Sequence, residues 1–91
     1  YEDQKLVNAH RQMIVARKLE LVTKKYEDAI TGLKFIRFLE LHEAHLYQKH
    51  QELLEGLRHR AEAVIHKNGL QVQAKYQLKL QVLQQEEVLL G

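Results

Sequence analysis

Apolar residues in the first part of this chain recur at alternating steps of four and three. Val15, Leu19, Val22, Tyr26, Ala29, Leu33 and Ile36 form the longest run. This is a heptad seam, the pattern that holds one face of a helix against another helix. It crosses Thr31-Gly32 without losing phase. Glycine weakens a helix interior by roughly 1 kcal/mol, and threonine could cap a new helix. A loop at that point would have no reason to keep the phase. The pattern therefore predicts one continuous helix over about residues 2–67. At 1.5 Å per residue it would be about 100 Å long. The alternative is a bend near Gly32, which would turn the chain into a three-helix bundle.

The seam is less regular on either side of this run. Upstream, Leu6, Ala9, Met13 and Ala16 form an offset version of it. Downstream, Leu39, His42, Leu46, Leu53, Leu57, Ala61 and Val64 carry it onward, with Lys49 or His50 in a weak layer. Phase changes of this kind predict a helix that changes neighbours along its length.

His66-Lys67-Asn68-Gly69-Leu70 reads as a helix end. Basic residues fall in the last turn, Gly69 suits the left-handed position that closes many helices, and Leu70 supplies the apolar contact that often follows. Residues 70–82 alternate apolar and polar with period two, which alone is a strand signal. Their Gln, Lys, Leu and Ala content favours a helix, and a strand would have no partner in its own chain. The segment is therefore predicted as a helix over about 70–90, with apolar patches at 70/74/78 and 72/76/80/83. Two apolar sides suit a helix sandwiched between two others. A strand pairing with another chain is the alternative. A short turn at 67–69 would lay this helix antiparallel over about residues 46–66 and leave 1–45 bare. A long amphipathic helix owes its stability mostly to packing, so the bare part calls for a cover. The fold class that follows is all-α, a coiled-coil-like helical hairpin formed by a single segment spanning 1–91.

Composition agrees. The 91 residues include no proline, no cysteine and four glycines, which excludes a disulfide scaffold and speaks against a protein rich in tight turns. The formal charge of +2 comes from 14 basic and 12 acidic side chains spread along the chain, too even a balance to point to nucleic acid. No run of apolar residues is long enough to span a membrane. The chain opens on Tyr-Glu-Asp-Gln-Lys, which is neither a signal peptide nor an initiator methionine, and reads as a segment excised from a larger intracellular protein.

Candidate chemistry is sparse. There is no serine, Thr23 and Thr31 stand alone, and no glycine-rich phosphate loop occurs, so no enzyme is expected. His42-Glu43-Ala44-His45 is one residue too short for the zinc-protease spacing. Glu55, His59, Glu62 and His66 share a helix ridge that could bind a transition metal or titrate near neutrality. The plainer reading is a solvated face with local pairs, and no cofactor or metal is expected. Arg11, Lys18 and Lys25 recur at seven-residue spacing as a basic ridge that could meet phosphate on RNA or at an anionic membrane surface. Residues 33–41 hold both phenylalanines and are apolar almost all round the helix. The expected function is a non-enzymatic assembly module. It would dock self or heterologous helices through Val15, Leu19, Val22, Tyr26, Leu33, Phe35, Ile36, Phe38, Leu39 and Leu41.

Overall fold

The structure is a computed structural model that describes residues 2–91. It is all-α. Helix α1 spans Glu2–His42, α2 Ala44–Lys49, α3 Gln51–Lys67 and α4 Leu70–Leu90. Helix α1 runs through Gly32 as its uninterrupted seam requires, so the bend at 31–32 is not formed. Residues 70–82 lie within α4, and no strand occurs among the described residues.

The chain divides into two compact units. One comprises residues 1–23 and 70–91, the other residues 24–69. In the second unit the chain reverses between His42 and His50, not at 67–69 as expected. The C-terminal part of α1 and α3 are antiparallel there. Glu40 meets Arg58 near the reversal, and Lys25, Asp28 and Ala29 share a groove with Arg60, Ala61 and Val64 at the other end. Ile36, Leu39, Tyr47 and Leu54 form its buried cluster. The predicted helix over 2–67 is thus broken at Glu43 and His50, where φ is −133° and −117°.

No glycine or proline marks this reversal. The amides of Glu43, Tyr47 and Leu54 still bond four residues back, to the carbonyls of Leu39, Glu43 and His50. Backbone bonding is therefore largely kept, and the cluster supplies the gain for turning. Burying a large apolar side chain contributes about 1.5–3 kcal/mol, more than the loss of one or two helical hydrogen bonds. The Tyr47 hydroxyl also donates to Glu55 Oε1 at 2.6 Å and so ties α2 to α3 across His50.

In the first unit the N-terminal part of α1 and α4 are antiparallel. Gln4 and Asn8 share a groove with Leu90 and Glu86, and Val15 shares one with Lys79. Residues expected to be bare are therefore covered by this chain's own α4. The seam keeps its phase upstream, but with polar residues. Asn8 is 4% exposed, while Leu6 and Met13 of the expected offset seam are 69% and 61% exposed. The Asn8 amide donates to the Leu83 carbonyl at 3.0 Å, and its oxygen accepts from Gln12 Nε2 at 2.6 Å. Gln12 also donates to Glu87 Oε2 at 2.8 Å. A buried amide bonded in this way fixes how two helices are aligned, because sliding them would strand it.

Helix α4 uses only one of its two apolar patches. Val72, Tyr76, Leu80 and Leu83 are buried or half-buried, whereas Leu70, Ala74 and Leu78 are exposed. The helix is not sandwiched. Between α3 and α4, Gly69 does not adopt positive φ, contrary to the expected left-handed closure. Asn68 ends α3 instead. Its backbone N–H and its side-chain amide both donate to the Val64 carbonyl, at 2.9 Å each.

Candidate functional site

The predicted interface residues separate into two sets. Val15, Ile36 and Leu39 are buried, and Leu19, Val22, Tyr26 and Leu33 are half-buried. They lie on the stripe of α1 that packs inside the two units. Phe35, Phe38 and Leu41 are 59%, 53% and 65% exposed. The run 33–41, apolar all round, is therefore buried on one side only.

Leu41 lies on one flank of α1, in a groove with Leu33, Arg37, Glu40, Arg58 and Glu62. Phe35 lies on the other flank, and the helical repeat shows what accompanies it. Asp28 faces Arg60 and Val64. One heptad along, the same flanks carry Phe35 on α1 and Leu53 and Leu57 on α3. Leu53 and Leu57 are 63% and 40% exposed, although the expected seam placed them in the core. Phe38 follows one turn on, its ring 5.0 Å from that of His42. Phe35, Phe38, Leu53 and Leu57 are thus exposed apolar side chains of the second unit, with Phe35, Leu53 and Leu57 on one flank by the heptad repeat and Phe38 next to Phe35 on the outer side of α1. The signal that could have placed the two leucines is the change of phase after Ile36, since Leu54 and not Leu53 continues the buried stripe.

Around the reversal the electrostatics are local. The Glu55 carboxylate, by accepting the Tyr47 hydroxyl, holds that phenol above its ordinary value. Glu40 likewise raises the Arg58 guanidinium, mainly through their 2.9 Å hydrogen bond. Both pairs are structural ties, and neither faces a cavity enclosed enough to exclude water from a substrate.

The basic ridge is distributed between the two units. Arg11 and Lys18 line a groove with Lys79 in the first. Lys25 lines one with Arg60, Lys67 and Asp28 in the second. Among the described residues no group of three or more histidine or acidic side chains is placed to hold a metal ion, and no helix is long and apolar enough to cross a membrane. No protein-family model, curated protein or solved structure matches the chain.

Proposed function

We propose that this chain is a non-enzymatic assembly module, a helical scaffold segment that docks another protein on the second unit. The observation that carries this reading is the exposure of Phe35, Phe38, Leu53 and Leu57 on the second unit. Two aromatic and two aliphatic side chains stand exposed beside a core that has no need of them. Interfaces favour aromatic side chains because each buries a large area at little cost in conformational entropy. A few such anchors usually carry most of the binding energy. The absence of serine and cysteine and the open form of the grooves support a role without catalysis.

A photo-crosslinking residue at position 38, in cells that express the chain, tests the reading. A control at Arg37, in the groove on the other flank of α1, shows what random collision gives. A discrete heavier species at 38 and not at 37 is expected, and Phe35→Glu should abolish it. Equal labelling at both positions would remove the proposal.

The basic groove of Lys25, Arg60 and Lys67 favours a second reading, binding of phosphate on RNA or on an anionic membrane surface. Asp28 in the same groove weakens it. Titration with RNA or anionic vesicles across a salt series decides, since phosphate contacts lose affinity steeply as salt rises.

A further inference from the structure

The first unit carries a second apolar column beside its buried seam. Val7, Ile14 and Leu21 recur at seven-residue spacing on α1 and are 49%, 41% and 55% exposed. Val82 and Leu89 stand seven residues apart on α4, also exposed. The columns face each other across one groove. Val7 and Leu89 line a stretch of about 530 Å³, and Ile14 and Val82 line the next, of about 440 Å³. Solvated helix faces do not ordinarily repeat branched aliphatic residues in this way on two neighbouring helices.

Charge changes sign along this groove. Asp3 and Glu86 lie at the Val7 end, and Arg11 stands between the two stretches and lines both. Lys18 and Lys79 lie beyond Ile14, and neither pairs with a carboxylate among the described residues. Glu86 and Lys79 are themselves seven residues apart on α4, with Val82 between them.

We propose that a second copy of this chain covers the groove, related to the first by a two-fold axis crossing it near Val82. The axis lays the acidic end of each copy on the basic end of the other. Lys79 of each copy then meets Glu86 of its mate, twice in one interface, as an isologous contact requires. A parallel arrangement would instead set Lys18 and Lys79 against their own images. The product is a four-helix bundle whose added layers hold Val7, Ile14, Val82 and Leu89. The available area suffices. The face is about 30 Å long, for some 20 residues, and about 20 Å across its two helices. That is on the order of 600 Å² per copy, at the lower bound of specific interfaces. This surface is separate from Phe35 and Phe38, and the two proposals stand or fall independently.

Sedimentation equilibrium from micromolar to millimolar chain tests the proposal. The expected result is a mass that rises from 10.8 kDa to twice that value. Ile14→Glu should hold the chain at the single mass. Lys79→Glu should weaken association by about tenfold or more, because it sets like charges together at two places. Lys79→Glu combined with Glu86→Lys should restore it. A single-chain mass at every concentration overturns the proposal, as does a dimer indifferent to these changes. Circular dichroism checks that each variant keeps its helix. For a variant that does not, carbodiimide coupling of isotopically mixed native chain replaces it. A Lys79–Glu86 link between copies is then expected, and links confined within one copy refute the two-fold.

Discussion

Asn8 shows how much one side chain can decide. An asparagine in a helical seam gives up transfer energy that leucine would supply, yet here each of its polar atoms finds a partner. Its amide hydrogen reaches a carbonyl on α4, so the contact is made at one alignment of the two helices only. Removing a buried polar group together with its need for partners is often neutral or stabilising. Asn8→Leu is therefore expected to leave stability unchanged or raise it by up to about 1 kcal/mol. The alignment of α1 and α4 should become less unique. A urea melt checks the first point, and the number of amide resonances per residue checks the second. A large loss of stability with a single sharp set of resonances would show that Asn8 acts through bonding energy and not alignment.

At the scale of elements, the seam from Val15 to Ile36 was legible because heptad spacing is a local property of the chain and the packed stripe follows it. The same logic carried α1 through Gly32, where a side chain would meet nothing within 4 Å and φ is not positive. Gly32→Ala should accordingly stabilise the protein by about 0.5–1 kcal/mol, by restricting the unfolded chain and improving the helix. Gly69→Ala should give no such gain, because its Cβ would lie 3.1 Å from the Ile65 carbonyl oxygen. Equal shifts of the urea midpoint in the two variants would contradict this account. The reversal at 43–50 was not legible. Its residues are ordinary helix formers, and what turns the chain is the meeting of Ile36 and Leu39 with Tyr47 and Leu54, a tertiary gain with no local signature beyond a weak layer at Lys49-His50. The upstream seam was misread for a related reason. Asn8 and Gln12 occupy apolar positions, and a search for apolar periodicity passes over them. Of the exposed apolar side chains, Phe35 and Phe38 stood out by residue type. Leu53 and Leu57 looked like core because the phase change that exposes them is set by the same tertiary cluster.

At the scale of the molecule, the two units differ in how far apart their partners lie along the chain. The Glu40–Arg58 pair spans 18 residues, and the Asn8–Leu83 bond spans 75. Loop-closure entropy grows with the logarithm of that span, which makes the longer closure costlier by about 1.3 kcal/mol. Local opening should therefore be easier in the first unit. Native-state hydrogen exchange is expected to find the amides of α4 exchanging through openings of lower free energy than those of α3. Identical opening energies throughout would mean that the chain unfolds as one cooperative block.

The order of the helices also governs how the protein is made. Asn8 leaves the ribosome 75 residues ahead of Leu83. At some 5–20 residues per second, that interval is on the order of ten seconds. For that time the N-terminal stripe of α1 has no cover from its own chain, while residues 24–69 can already close on themselves. The nascent chain thus displays Val15, Leu19 and Val22 to solvent or to a chaperone before α4 exists. Substitutions in α4 that slow its docking should appear first as lower yield from the ribosome, ahead of any change in the finished protein.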